Sequence, residues 1–500
     1  MSIKKIIVLV CVCLTTQIRA QQTTTHQCGV SIEDQLEMER LYPNDTHKPF
    51  NRQDVVYVPI KFHLTANTDG TGRINDYYVL NQLCTLNTDY DSSGIQFYIA
   101  NGFNYLNNTN IFSSPASYNS QIVLKKDAKA LNVFITENAE TSSSTIGTVQ
   151  GYYSSQGDYV IVRKEELVKG NNTLSHEIGH FFSLRHTFYG WENVPYDKNI
   201  HGDTIKFLHA PGLTNILVEV MNKSNCADAA DNICDTPPDY NFGLTASSCL
   251  FNTAVYDINR DKVVPMIKNQ MGYFNYCDEY FFTDGQSERM RNNFLSSGRS
   301  HLRVNYTPNT MYIEDAPVVI SPTQGSTVAT YDHVEIAWDI VQGASMYLIE
   351  IRGSGFYYSD IVTNPNIVLT NLKKSSLYNA TIRPFNEGFT CSTSKSLTFR
   401  TGTSMYVGTS DEWAKEVEMV LMPNPVEKGT NLMVKLGVQG FTLQSISVIN
   451  STGQIVEFES KPFDNGNQNF VVNTSSLPSG FYILRAKVGD RIVSSKFSIQ

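Results

Sequence analysis

Apolar and β-branched residues crowd positions 55–64, where Val55, Val56, Tyr57, Val58, Ile60, Phe62 and Leu64 form a pattern that predicts a strand. Positions 74–89 then place Tyr78, Val79, Leu80, Leu83 and Leu86 at helical spacing, and positions 94–99 return to strand character. Strand, helix, strand implies an α/β layer. Short strands are expected at 131–135 and 158–162, and positions 172–183 read as a helix opened by Asn172 or Thr173. After about position 312 the helical period fades, and alternating strands separated by Gly, Pro, Asn and Ser turns run to the end, the composition of β-sandwiches. A break at 403–418 separates two such stretches, 316–402 and 419–500.

Five hundred residues exceed what one hydrophobic core organises, so several domains are expected. With 41% hydrophobic and 17% charged residues, most of the chain should fold. The net charge of −9, with no run of five Lys or Arg, excludes an electrostatic footprint for nucleic acid. Lys4 and Lys5, the apolar stretch 6–14 and small residues up to Ala20 predict a secretory signal peptide over 1–20. That apolar stretch is about half the ~20 residues needed to span a bilayer, and no later one is long enough, so no transmembrane segment is expected. Cys11 and Cys13 fall in the leader. Cys28, Cys84, Cys226, Cys234, Cys249, Cys277 and Cys391 remain, an odd set in which at least one thiol is unpaired or has a task.

The decisive stretch is His176-Glu177-Ile178-Gly179-His180. Two imidazoles at i and i+4 share one helix face and can share a cation. If the helix ends after Ser183, the chain can turn back and bring His186 to the same metal. Three neutral imidazoles with one open position describe a catalytic zinc site, whereas structural sites fill all four positions with protein and favour Cys. Glu177 on the same helix is placed as general base, taking a proton from water activated at the metal and handing it to a leaving amine. The five-residue pattern alone arises by chance in about 1% of such chains, and His186 at its spacing makes it rarer.

His176 to His186 resembles the extended zinc motif of metzincin peptidases. The zinc motif ending in His186-Thr187-Phe188, the loop Asn232-Ile233-Cys234-Asp235-Thr236-Pro237-Pro238, and Asn269-Gln270-Met271-Gly272-Tyr273 followed by Phe282-Thr283 narrow the likeness to the pappalysin-like branch, over about 28–302. The resemblance implies an α+β catalytic domain over 53–312, with a mixed twisted sheet and an active-site helix. It also implies a methionine turn at Met271 beneath the metal, and Tyr273 as donor to the oxyanion that develops at the scissile carbonyl. It favours disulfides Cys226–Cys249 and Cys234–Cys277. One departure stands out: these enzymes usually have Gly where this chain has Ser183, at a sharp helix end that favours positive φ.

Cys28-Gly29 lies in a polar stretch, 21–52, that resembles the short pro-segment of these peptidases; its thiolate could fill the zinc's fourth position as a cysteine switch. The alternative is a disulfide from Cys28 to Cys84 or Cys391. Activation would then need cleavage near 48–52, and self-processing fits. Asp228, Asp231 and Asp235 offer hard oxygen ligands suited to calcium, with a solvated acidic turn as the equal alternative. In place of the acidic residue that selects Arg in some relatives stand Phe274, Asn275 and Tyr276.

Trp338, the apolar residues around Tyr347 and Leu369, and Tyr378 make 316–402 resemble a fibronectin type III domain, and Trp338 and Tyr378 read as core. Val420-Leu421-Met422-Pro423-Asn424-Pro425 and Leu477-Pro478-Ser479-Gly480-Phe481-Tyr482 make 419–500 resemble the C-terminal sorting domain of the type IX secretion system. That likeness implies recognition by the secretion machinery and a Gram-negative bacterial protein passed across the outer membrane, then secreted or attached to the cell surface. The function expected is a secreted zinc endopeptidase of extracellular proteins or peptides, made as a latent precursor. Its rivals are a noncatalytic surface adhesin with a vestigial metal site, and a small-molecule amidase with a closed pocket.

Overall fold

In a computed structural model, residues 26–30, 32–41, 54–139, 148–406, 418–437, 443–450, 454–462, 469–488 and 491–500 are described. The expected signal peptide, the processing stretch 48–52 and positions 407–417 of the expected linker lie outside them. The chain divides into two units, Met1–Ser404 and Met405–Gln500.

The first unit is built on a mixed sheet of β1 (His26–Cys28), β2 (Val56–Ala66), β3 (Ile95–Ile99), β4 (Asn104–Asn107), β5 (Leu131–Thr136), β6 (Thr148–Ser154) and β7 (Tyr159–Arg163). Its order is β1-β6-β7-β5-β2-β3, with β4 also on β2. All neighbours are parallel except β6 and β7. All six residues of β5 are buried, as a central strand covered on both faces requires. One cover is the helix Asp76–Asp89, which turns Val79, Leu80, Leu83 and Leu86 inward at helical spacing. Asn75 caps it, accepting from the Tyr77 amide at 2.7 Å.

Continuous with this layer is a sandwich of two antiparallel sheets. One comprises Phe356–Val362, Met346–Gly353, Leu377–Phe385 and Lys395–Arg400; the other comprises Asn366–Leu369, Val334–Trp338 and Val319–Ser321. Trp338 and Tyr378 lie in its core. Read from sequence as a separate module, this sandwich is joined to the α/β layer in three ways. Leu348 and Phe385 enter the larger core. Thr390 Oγ1 donates to the Leu80 carbonyl at 2.8 Å, and Arg383 donates to Asn81 Oδ1 at 2.6 Å. A disulfide ties Cys84 to Cys391, with Cα atoms 5.1 Å apart.

The second unit holds two four-stranded antiparallel sheets around its own core of Leu432, Val434, Val448, Phe470, Leu484 and Phe497, among others. No helix among the described residues is long and apolar enough to cross a membrane.

Candidate metal centre

The site helix runs Thr173–Phe181, shorter at both ends than the pattern predicts. Asn172 stands at its N-cap, but the Asn172 side chain does not cap; it donates to Gln270 Oε1 at 2.9 Å. At the other end Ser183 takes φ +66°, the Ser183 amide bonds the His180 carbonyl at 2.8 Å and the Leu184 amide bonds the Gly179 carbonyl at 3.0 Å. This paired closure reverses the chain at once. Ser183 thus does what glycine usually does, and its left-handed backbone is held by Asn293, whose Nδ2 donates to Ser183 Oγ at 2.5 Å. The reversal returns His186 to the helix face.

One ligand atom each from Cys28, His176, His180 and His186 lies within 4.8 Å of the others; among the described residues no other group of three or more His, Cys, Asp or Glu gathers this way. His176 Nδ1 is bonded to the Gln270 carbonyl at 2.6 Å, and His180 Nδ1 to the Leu184 carbonyl at 2.7 Å. Those bonds put the Nδ1 proton on each ring and leave Nε2 as a lone-pair donor facing the centre. His176 Nε2 is buried without a partner, and the Nε2 atoms of His180 and His186 stand 3.2 Å apart. Two lone pairs that close need a proton or a cation between them. Burial pushes His176 down to about 4, the Gln270 bond opposing, while His180 and His186 fall well below the ordinary range through burial and neighbouring imidazoles. Neutral imidazoles are what a metal requires, so the residues present fit a metal ion.

Glu177 is wholly buried beside this group, and burial raises its carboxyl to about 8. The Cys28 thiol donates to Glu177 Oε2 at 3.4 Å, and the Cys28 amide donates to the Tyr273 hydroxyl at 3.2 Å. Burial, then the nearby Cys28 and Glu177, keeps the Tyr273 phenol protonated and therefore a donor. Cys28 is a free thiol, because Cys84 pairs with Cys391. It is delivered by β1, which lies parallel along β6, with the Gly29 amide bonded to the Gly151 carbonyl at 2.8 Å. Gly151 itself is forced: a Cβ there would sit 3.1 Å from Glu177 Cγ and 3.0 Å from the Ile161 carbonyl oxygen.

Met271 is fully buried under the site helix. A Cβ on Gly179 would approach Met271 Sδ to 2.5 Å, so the glycine in the middle of the helix is the seat of that methionine. The Met271 carbonyl accepts from the Thr187 amide at 3.2 Å, fixing the chain just past His186.

Two expectations are corrected. The disulfides are Cys226–Cys234 and Cys249–Cys277, each with Cα atoms 4.9 Å apart, in place of Cys226–Cys249 and Cys234–Cys277. Positive φ at Ala230 and Asn232 folds the short segment from Cys226 back on itself, so its own two cysteines meet. The aspartates proposed for calcium do not converge. Asp235 accepts from Thr283 Oγ1 and the Gly285 amide at 2.7 and 2.8 Å, and Asp231 accepts from Thr236 Oγ1 and the Ile233 amide, while Asp228 is exposed.

Several supporting residues carried no sequence signal of their role. Gln270 holds His176 through its carbonyl and is itself clamped by Asp89, which accepts from Gln270 Nε2 at 3.0 Å and from Ser175 Oγ. Asp239 accepts from Thr187 Oγ1 at 3.0 Å. Gln270 lay inside a recognisable motif. Asp89 and Asp239 are tens of residues from their partners, where no periodicity reaches.

Residues 420–500 match the family model of the secretion system C-terminal sorting domain. The chain carries an export address. Its C-terminal domain is of the type IX kind, which implies the secretion machinery as a partner and a protein that is secreted or attached at the surface. No curated protein matches the chain. Among solved structures it is similar to the FN1-FN3 domains of chicken CNTN1, at 12% identity over 37% of this chain and 68% of that one, TM-score 0.16. It is also similar to the fibronectin(III)-like modules of Clostridium thermocellum CbhA, at 10% identity over 37% and 92%, TM-score 0.15. A third is the fn3 domain of the human collagen alpha-1(XX) chain, at 17% identity over 21% and 97%, TM-score 0.15.

Proposed function

We propose that this chain is a secreted zinc endopeptidase, metzincin-like and of the pappalysin-like branch, made as a latent precursor. The observation that carries the reading is the convergence of His176, His180, His186 and the Cys28 thiol on one point, with Glu177 against it. A zinc ion held by the three imidazoles would supply a Lewis acid and lower the pKa of water there. Every other part belongs to the chain.

Glu177, buried against the three imidazoles, is placed to take a proton at the metal and return it to a leaving amine, and a zinc cation beside it would favour its carboxylate form over the protonated form that burial favours here. Tyr273 keeps its phenolic proton and offers it to an oxygen gaining negative charge. Cys28 fills the position that substrate and water need, which makes 21–52 inhibitory while it is attached. Loss of β1 would uncover the edge of β6, whose free amides and carbonyls can take an extended peptide as a new strand. The cavity beside Glu177 is lined by Gln150, Asn172, Thr173, Phe274 and Asn275, and among the described residues no Lys, Arg or Asp lines it. A strand edge uncovered beside that cavity would favour a polymer over a small amide. The first sandwich, fibronectin type III-like on this reading, braces the catalytic layer.

The test is chelation. Processed protein should cleave a denatured-protein substrate, lose that activity in 1,10-phenanthroline and recover it on adding zinc; cleavage that persists in metal-free protein would sink the reading.

A further inference from the structure

Beside His186 Nδ1, three buried polar side chains stand close together without closing well-formed hydrogen bonds. His186 Nδ1 has no partner, unlike the Nδ1 atoms of His176 and His180, which are fixed by carbonyls. Glu192 Oε1 stands 3.5 Å from it, also unpaired, while Glu192 Oε2 accepts from the Gly190 amide at 2.7 Å. The third is Gln35, fully buried and close enough to Glu192 to act on its carboxylate, with neither amide atom closing a well-formed hydrogen bond.

Gln35 belongs to the helix Ile32–Leu41, in the segment that delivers Cys28. The helix is docked: Asp34 Oδ1 accepts from the Ser155 amide and hydroxyl at 2.8 and 2.5 Å, and Met38 is buried in the main core. A residue one helical turn before Met38, wholly buried, would ordinarily be apolar. An amide with no exposure is costly unless it has a polar neighbour to serve, and Glu192 is that neighbour.

We propose that Glu192 is the positioning residue of His186, and that the pro-segment acts on the metal centre a second time through it, by way of Gln35. Glu192 accepts the Nδ1 proton of His186 and so aims Nε2 at the metal, the task that carbonyls perform for the other two histidines. In the precursor Gln35 donates to the same carboxylate, tying the pro-segment helix to the ligand shell that Cys28 caps from the front. Release of the segment removes the Gln35 donor and leaves Glu192 Oε1 to His186, with Oε2 still held by the Gly190 amide. This rests on the zinc reading above.

The test uses the full-length precursor carrying Glu177→Ala, so that no self-cleavage intervenes, with two readouts: the zinc dissociation constant by chelator competition, and the rate of Cys28 alkylation by iodoacetamide. Glu192→Ala should weaken zinc binding roughly 10- to 100-fold, and Glu192→Gln, which keeps an acceptor oxygen, should lose much less. Gln35→Leu should speed alkylation severalfold, and should add nothing once Glu192→Ala is present. Unchanged zinc affinity in Glu192→Ala, or alkylation effects of the two variants that simply multiply, would overturn the proposal and leave the peptidase reading standing. Should Glu192→Ala not fold, the decision falls to Gln35→Leu against the parent precursor, an unchanged alkylation rate overturning the proposal. A precursor that binds no zinc at all would remove both.

Discussion

Gly179→Ala makes the packing under the site measurable. In a helix interior that change ordinarily stabilises by about 0.8–1.0 kcal/mol, since alanine loses less backbone freedom. Here the new Cβ would stand 2.5 Å from Met271 Sδ and 3.5 Å from Phe282 Cε1. Unstrained carbon contacts are about 3.5–4.0 Å, so the sulfur must move by more than 1 Å, and Met271 is fully buried with nowhere open to go. Overpacking of this kind costs about 1–3 kcal/mol, at the lower end for a side chain as pliable as methionine. The sum runs from about zero to a net loss of about 2 kcal/mol, so the stabilisation expected of an unobstructed site is cancelled or reversed. The argument also fixes a sign change: with Met271→Ala in place the obstruction is gone, and Gly179→Ala should then stabilise by about 1 kcal/mol. The assay is urea denaturation of the full chain, all four members of the cycle carrying Glu177→Ala. A stabilising Gly179→Ala in the presence of Met271, or the same effect in both backgrounds, would refute the packing argument.

Cys28→Ala should give a precursor that processes itself early, read as premature loss of the N-terminal segment on a gel; a stably latent variant would show that the thiol does not hold latency. Replacing Cys84 and Cys391 by Ser removes a crosslink of sequence separation 307. Chain entropy puts its contribution at about 6 kcal/mol at most, so the calorimetric transition of the first unit should fall by many degrees, and no change would mean the sandwich is held without the bridge. Glu219 is buried with both carboxyl oxygens unpaired, and burial, then the Asp231 carboxylate, pushes it up to about 9 from 4.5. Because the folded value is the higher one, its contribution to stability is complete below about pH 4.5, declines as pH rises and is gone above about pH 9. Melting temperature should therefore fall from pH 6 to pH 9 less steeply in Glu219→Gln than in wild type; parallel slopes would contradict the assignment.

Strand and helix periodicity located most of the first layer. The strand read at 55–64 is Val56–Ala66, the helix read at 74–89 is Asp76–Asp89, and the strand read at 158–162 is Tyr159–Arg163. These segments bury one face or both, so their patterns are strong. The strand Thr148–Ser154 was missed, because Gly151 sits where the backbone passes Glu177 and Gln150 faces the cavity, so the site itself erased the alternation. Chemistry was legible where ligands are close in sequence, as from His176 to His186. It was not where the partners are far apart in the chain: Asp89 and Gln270 act on atoms that only the fold brings near. Disulfide pairing failed for the same reason, since loop closure at Ala230 and Asn232 decides it. Ser183 was legible in position, but the Asn293 bond that holds its left-handed backbone was not.

The central claim is that Glu177 does the proton work at a zinc held by His176, His180 and His186. Processed wild type and Glu177→Ala should be compared side by side for zinc content by mass spectrometry and for cleavage of a denatured-protein substrate. The account predicts equal zinc in both and cleavage by the wild type alone; undiminished cleavage by Glu177→Ala, with its zinc in place, would contradict it.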